Sequence, residues 1–172
     1  MTPSGEDNRI VDTQEHIPVL CKEIIEYLNP KAGDYAIDCT VGCAGHAKEI
    51  LKGISPGGFL IGIDLDEEAL KISEENLKGF ENNFMLINDN FKNIPDAVKR
   101  ANLNTGVDAI LFDLGFSSMQ INSADRGFSF NSEGPLDMRF DRKAKITAFD
   151  VVNKSKECEI EEIIRMFGEE RF

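Results

Sequence analysis

An open, doubly wound parallel α/β sheet is the fold class that this chain predicts, and three observations carry it. Short apolar segments alternate with amphipathic ones from Tyr35 to Asp113, glycine or proline breakers separate them, and the apolar segments end in acids or amides at Asp38, Asp64, Asp89-Asn90 and Asp113. Alternation of this kind requires right-handed βαβ crossovers. Those crossovers bring the strand ends to one edge of the sheet, where ligands bind.

Taken in order, Val19–Leu28 has apolar residues at helical spacing and stops at Asn29-Pro30. Tyr35–Asp38 reads as strand one, and Gly45–Lys52 as the helix after it. Ser55-Pro56-Gly57-Gly58 is a breaker. Phe59–Ile63 is strand two, ending at Asp64. Glu67–Leu77 is a helix whose acidic first turn suits its dipole. Phe84–Ile87 is strand three, and Ile94–Leu103 a helix with Pro95 in its first turn. Val107–Phe112 is strand four. Strand one is expected at the centre with strand four beside it. Leu114–Thr147 has no clean period, yet its phenylalanines argue against plain disorder. Glu157–Phe167 is again an amphipathic helix.

The 172 residues suffice for one domain with a small appendage, and 41% hydrophobic content is ordinary for a globular protein. No apolar run approaches the roughly 20 residues that span a bilayer, so no membrane partner is expected. Residues 1–15 are polar and acidic and are expected to form a disordered tail rather than a signal peptide. Cys21, Cys39, Cys43 and Cys158 form no CxxC pair, and the histidines are His16 and His46. Free thiols in a reducing cytoplasm follow, with no metal site. The net charge of −12 argues against a general polyanion binder, so any nucleic-acid role needs a local basic patch, a partner or further sequence.

A strand, a glycine-bearing turn, a helix and a second strand ending in an acid fit an adenosine cofactor. NAD needs a GxG turn so that its pyrophosphate can approach the helix N-terminus. Here the turn is Gly42-Cys43-Ala44-Gly45, and Asp38 precedes it. A buried carboxylate there repels pyrophosphate and attracts the ammonium of a methionine moiety, which favours S-adenosylmethionine. Asp64 would accept hydrogen bonds from ribose hydroxyls. Phe91 either packs on adenine or belongs to the core. His46 either contacts cofactor or caps its helix.

On the acceptor side, Asp113-Leu114-Gly115-Phe116 follows strand four. An acceptor for one hydrogen of an exocyclic amine can aim the nitrogen lone pair, and an aromatic ring can hold the base in line. Asp113 and Phe116 are therefore the catalytic candidates; alternatively, Asp113 binds only cofactor and Phe116 packs in the core. Ser117, Ser118 and Gln120 suit an amino-acid tail or a base edge, or simple turn chemistry. Arg126-Gly127-Phe128 and Asp137-Met138-Arg139-Phe140 suit a phosphate-and-base surface, with Arg126, Phe128 and Arg139 as substrate contacts. They equally suit a small core clasped by Asp–Arg pairs.

Seven motifs stand in order: His16-Ile-Pro-Val-Leu20, Asp38-Cys-Thr-Val-Gly-Cys-Ala-Gly-His46, Gly62-Ile-Asp-Leu-Asp66, Asp113-Leu-Gly-Phe-Ser-Ser-Met-Gln120, Arg126-Gly-Phe-Ser-Phe130, Gly134-Pro-Leu-Asp-Met-Arg139 and Gly168-Glu-Glu-Arg171. Together they resemble the bacterial 16S rRNA cytosine-N4 methyltransferases, the RsmH/MraW family, over His16–Phe172. The resemblance implies a Rossmann-like S-adenosylmethionine-dependent methyltransferase fold with the start of an inserted helical domain. It implies methylation of a cytidine N4 in 16S rRNA of the small ribosomal subunit, in the cytoplasm. By position, cofactor contacts fall on Ala44, Gly45, His46, Asp64, Phe91, Asp113 and Gln120, beside Asp38 and Gly42 from the residue reading. Cys43 and Ala44 replace family glycines, so Ala44 is expected to offer its backbone N–H with less room. Phe140 replaces a methionine. Family members continue past Gly-Glu-Glu-Arg, so a C-terminal truncation is expected, with an incomplete sheet and a strand-four edge prone to association into a homo-oligomer. Residues 16–120 would be the methyltransferase domain, and 121–172 the substrate loop and the beginning of the inserted helices. The rival readings are an amine methyltransferase acting on DNA or protein, and a fragment that binds cofactor without turnover.

Overall fold

The computed structural model describes residues 18–103 and 106–170. The expected tail 1–15, His16 and Ile17 of the first motif, and Arg171 of the last lie outside the described residues. The described chain runs α1 (Cys21–Leu28), β1 (Tyr35–Asp38), α2 (Gly45–Ile54), β2 (Phe59–Asp64), α3 (Glu67–Asn76), β3 (Phe84–Asn88), α4 (Ile94–Arg100), β4 (Ala109–Leu111), α5 (Ser118–Asn122), α6 (Ala148–Lys154) and α7 (Glu157–Phe167). The strands form one parallel sheet in the order β3-β2-β1-β4, so β1 is internal and β4 lies beside it, as expected.

Strand periodicity separates two apolar layers. Ala36 and Leu60 face the side covered by Ile50, Leu51 and Ile54 of α2 and Leu70 of α3. Ile37, Ile61 and Ile63 face the opposite side, with Ile87 and Ala97. Each fully buried Ile or Leu contributes about 1.5–3 kcal/mol, so this paired core outweighs any single polar contact in holding the sheet. At Gly62 the sheet and the loop after β1 approach closely: a Cβ there would lie 2.7 Å from Leu86 Cδ2 and 3.0 Å from Val41 Cγ2.

Element boundaries differ from the sequence reading for local reasons. α1 begins at Cys21 because Leu20 adopts a left-handed backbone at φ 53°. α4 stops at Arg100 rather than Leu103. Asn102 turns left-handed at φ 54°, and the Leu103 and Asn102 amides bond back to the Val98 and Lys99 carbonyls at 3.2 and 3.1 Å, a Schellman closure. β4 shortens to Ala109–Leu111 because the Asp113 amide donates to Thr40 Oγ1 at 2.8 Å instead of continuing the ladder.

The aperiodic segment is ordered. α5 opens with a capping box between Ser117 and Gln120, and α6 with one between Thr147 and Asp150. The Arg-Gly-Phe-Ser-Phe and Gly-Pro-Leu-Asp-Met-Arg motifs lie backbone against backbone. The Met138 amide donates to the Arg126 carbonyl at 2.9 Å. A Cβ on Gly134 would lie 2.0 Å from the Ala124 carbonyl oxygen, and one on Gly127 2.3 Å from that of Pro135. Gly127 is also left-handed, at φ 70°. These glycines are therefore required by contact distance.

Gly134→Ala is expected to cost about 1–3 kcal/mol, the range for overpacking, toward the upper end because its neighbour is main chain. Chemical denaturation followed by circular dichroism checks it; an unchanged midpoint would show that the two motifs do not pack as described.

Candidate active site at the C-terminal edge of the sheet

β1 and β4 deliver the centre of the site. Asp38 ends β1 and is 1% exposed, and its Oδ1 accepts the Thr40 amide at 3.1 Å. Burial raises its pKa to about 7; the charges of Asp64 and Asp113 add to the rise, and the Thr40 hydrogen bonds oppose it. The folded-state value lies above the ordinary carboxylate value. Neutral Asp38 therefore stabilises the fold at acid pH, and that contribution is lost as pH climbs through about 7.

The turn Gly42–Gly45 is locked from several sides. The Gly42 amide donates to Asp64 Oδ2 at 2.8 Å, its carbonyl accepts the Ser73 hydroxyl, and the Cys43 carbonyl accepts Asn76 Nδ2 at 2.9 Å. Ala44 is left-handed at φ 67°, and its amide donates to the Val41 carbonyl at 2.7 Å. That corrects the expectation that Ala44 offers its N–H to a ligand. The first helical bond of α2 is Lys48 N–H to the Ala44 carbonyl at 3.0 Å. The amides of Gly45, His46 and Ala47 therefore have no intrahelical acceptor and form a positive helix entrance. A Cβ on Gly45 would lie 3.1 Å from the Pro18 ring, and His46 Nε2 lies 3.0 Å from the Val19 carbonyl. Pro18 and Val19 thus seat the entrance of α2.

With Nε2 directed at a carbonyl, His46 turns Nδ1 toward Asp113 Oδ2, 3.8 Å away. His46 is buried, whereas the Asp113 side chain is 54% exposed. Asp113 therefore stands at the mouth and Asp38 at the floor.

Asp64 ends β2. Besides Gly42, it accepts the Asp66 amide on Oδ1 at 2.9 Å. Burial raises its pKa and the charge of Asp66 adds to this, while those backbone hydrogen bonds pull the other way. Both oxygens already hold main chain, and a carboxylate retains further acceptor capacity. Phe91 follows β3, 37% exposed, with its ring edge-on to Phe112 at 5.5 Å.

On the acceptor side, Phe116 is 63% exposed and tilted against Phe128, 6.3 Å between centroids, and Phe128 packs on Phe140 at 5.4 Å. Ser118 is exposed at the start of α5. The Ser117 hydroxyl accepts the Gln120 amide at 3.2 Å, the turn chemistry that the sequence also allowed, and its own proton is left to donate. Gln120 is buried. Its Oε1 accepts the Ser117 amide at 3.0 Å, and its Nε2 donates to Asp66 Oδ2 at 3.0 Å. The expected cofactor contact is thus turned inward.

Arg126, expected at a substrate surface, is corrected most clearly. It is 1% exposed, and its Nη1 donates to Asp66 Oδ2 at 2.6 Å. Its Nη2 donates to the carbonyls of Arg139 and Phe140 at 3.0 and 3.2 Å. Arg139 is likewise committed: it forks onto Asp137 at 2.9 and 2.6 Å and donates to the Arg142 and Ala144 carbonyls. The guanidinium holds the Asp137 pKa down at about 2. The internal Asp–Arg clasp is the reading that describes both arginines.

Thr40 and Asp66 are the residues that sequence reasoning missed. Thr40 joins β1 to Asp113 through its hydroxyl, and nothing in its sequence position signals this. Asp66 N-caps α3, accepting the Glu68 amide at 3.1 Å, and an acid directly before Glu67-Glu68 is a readable cap signal.

An acid at each of three adjacent strand ends, a locked turn and a helix entrance make an edge suited to a zwitterion, with the ammonium toward Asp38 and the carboxylate toward the α2 amides. The profile of the MraW methylase family matches residues 13–172. The ribosomal RNA small subunit methyltransferase H of Caldicellulosiruptor saccharolyticus is 46% identical over 92% of this chain and 51% of its own length. Its namesake in Mycoplasma mycoides is 49% identical over 92% and 51%, and that in Mycolicibacterium gilvum 41% over 99% and 46%. The chain spans about half the length of these curated relatives. Nearly all of it matches the family profile, from the loop before α1 through the clasp and α7, and the chain belongs to the MraW methylase family.

Proposed function

We propose that this chain carries the cofactor site and the acceptor-orienting residues of an S-adenosylmethionine-dependent methyltransferase that acts on the N4 amine of a cytidine in small-subunit 16S rRNA. The observation that carries the reading is the convergence of Asp38, Asp64 and Asp113 on one edge, with an exposed phenylalanine three residues past Asp113. The relatives' names supply the substrate class, ribosomal RNA of the small subunit, and an rRNA substrate implies work on the small ribosomal subunit in the cytoplasm. Among the described residues no helix is long and apolar enough to cross a membrane. Among the described residues no strand pairs with the outer side of β4, and self-association through it is part of this reading.

The residues present fit the cofactor by charge. Burial raises the pKa of Asp38 and the neighbouring carboxylates of Asp64 and Asp113 add to the rise, and His46, beside Asp113, is fixed on the Val19 carbonyl. Such an edge disfavours pyrophosphate and favours an ammonium next to a sulfonium. When bound, the cofactor supplies an activated methyl group on a cationic sulfur. Asp38 would hold the ammonium, the amides of Gly45–Ala47 the carboxylate, and Asp64 the ribose.

Asp113 is half-exposed and aimed by the hydrogen bond that its backbone N–H donates to the Thr40 hydroxyl and by His46. It would accept one hydrogen of the amine and turn the nitrogen lone pair toward the methyl group. Phe116 would stack on the base after it leaves its own stack. The rate gain comes chiefly from that alignment.

Incubation of this chain with radiolabelled S-adenosylmethionine and small subunits lacking the modification is expected to label rRNA, and naked DNA is expected to stay unlabelled. Label in DNA alone would overturn the substrate assignment. Asp113→Asn is expected to lower the transfer rate about 100-fold, the scale for a positioned proton acceptor, with cofactor affinity nearly unchanged. A fall confined to affinity would move Asp113 to a binding role only.

Asp38 gives a pH test. A bound ammonium favours its carboxylate form, so binding releases a proton below about pH 7 and affinity rises with pH until Asp38 is ionised. Between pH 6 and 8 the affinity for adenosylhomocysteine is expected to rise about tenfold by linkage. Asp38→Asn is expected to flatten that profile. An unaltered profile in the variant would remove Asp38 from the ammonium site.

A further inference from the structure

We infer that Asp66 is a positioning residue: its amide holds the cofactor-side acid while its carboxylate holds the acceptor-side segment, so that cofactor binding and the order of residues 113–126 are coupled. The inference rests on the proposed cofactor site and assigns the buried groups that this site leaves unexplained.

A continuous run of hydrogen bonds carries it. Asp66 is 2% exposed, and its Oδ2 takes Arg126 Nη1 at 2.6 Å and Gln120 Nε2 at 3.0 Å. Its own amide donates to Asp64 Oδ1 at 2.9 Å, and Asp64 Oδ2 holds the Gly42 amide at 2.8 Å. In the other direction, Gln120 Oε1 holds the Ser117 amide at 3.0 Å, one residue past Phe116. One route from Gly42 to Ser117 therefore runs through Asp66, entering at its amide and leaving at its buried carboxylate, beside the direct tie of Thr40 to the Asp113 amide. Burial alone would raise the Asp66 pKa; the hydrogen bonds from Gln120, Arg126 and Glu68 together hold it below the ordinary value.

Arg126 makes the hub stiff. Its fork reaches Asp66 with one nitrogen and the carbonyls of Arg139 and Phe140 with the other, while Nε is buried without a hydrogen-bond partner. Leaving a donor unpartnered in a buried site is costly, so the geometry is set by the two nitrogens that reach Asp66 and the strap at 139–140. A lysine offers no planar fork and cannot satisfy both ends. If cofactor binding steadies Asp64, the same bonds steady Asp66, Gln120 and the start of α5. Thermodynamic reciprocity then requires that loosening α5 weaken cofactor binding.

Arg126→Lys and Gln120→Leu test the coupling; the second leaves the Asp66–Arg126 pair intact and serves where the first does not fold. In the ligand-free chain, both variants are expected to shift the Gly42 amide resonance in a nitrogen–proton correlation spectrum. A purely structural role would lower the denaturation midpoint and leave that resonance in place. With adenosylhomocysteine, the unaltered chain is expected to gain hydrogen-exchange protection at residues 117–126. The variants are expected to lose that gain and to bind about 5- to 150-fold more weakly, the usual range of such couplings. An unmoved Gly42 resonance, or ligand-induced protection that persists in the variants, would overturn the inference. If the unaltered chain binds no adenosylhomocysteine, the cofactor reading fails separately and the Gly42 resonance alone decides the hub.

Discussion

The edge of the sheet concentrates negative charge where water is scarce, and most of the local architecture follows from holding it there. Asp38 and Asp64 are both pushed toward the neutral form by burial. Their compensation comes from main-chain amides, those of Thr40 for Asp38 and of Gly42 and Asp66 for Asp64. Amides are fixed by the backbone, so the acids inherit their positions from the β1 turn and the start of α3 rather than from mobile cations. An edge held this way is prepared for a positive ligand and penalises a negative one. Two unit charges about 4 Å apart are worth roughly 4 kcal/mol at an effective dielectric near 20, enough for sign alone to choose between cofactor classes.

The cations of the following segment answer to internal carboxylates. Arg126 meets Asp66, Arg139 meets Asp137, Arg142 meets Glu68 and Asp125, and Lys143 meets Glu67. A buried ion pair contributes little net stability once desolvation is counted. The value of the Arg126 pair therefore lies in fixing one arrangement of the loop. The exposed pairs of Arg142 and Lys143 are each worth at most about 1 kcal/mol, so they follow the arrangement that Arg126 sets. With these cations engaged, the phosphate-binding surface expected on Arg126 and Arg139 is absent from the positions where sequence placed it. Phe116 remains as the exposed aromatic beside Asp113.

The sheet was legible because its signals are local. Apolar runs, breakers and terminal acids at Asp38, Asp64 and Asp113 give strand, turn and edge without knowledge of distant partners. The segment from Leu114 to Thr147 was opaque for the opposite reason. Arg126 finds its carboxylate 60 residues away, and Gly134 is fixed by contact with the Ala124 carbonyl, which no period encodes. Two local signals there went unread: Ser117-x-x-Gln120 and Thr147-x-x-Asp150 are capping boxes that announce α5 and α6. The site was legible by residue type more than by role. Asp64 was readable as an acid at a strand tip, whereas its grip on Gly42 required the fold.

Ala44 shows how a departure from the family's glycine-rich turn can leave the site's geometry in place. An alanine in the left-handed region costs roughly 1–2 kcal/mol. Its methyl is fully buried within the core cluster beneath α2, which returns about 0.8 kcal/mol, and alanine also restricts the unfolded chain more than glycine does. These opposing effects are of similar size, so the turn tolerates the side chain. The ligand-facing role does not depend on residue 44, since its amide already serves the Val41 carbonyl. The amides left for an anionic group are those of Gly45, His46 and Ala47. Gly45 is held against the Pro18 ring, His46 against the Val19 carbonyl, and Ala47 is buried in the core. The turn thus uses two glycines for different reasons, Gly42 for its left-handed backbone at φ 51° and Gly45 for the close approach of α2 to Pro18.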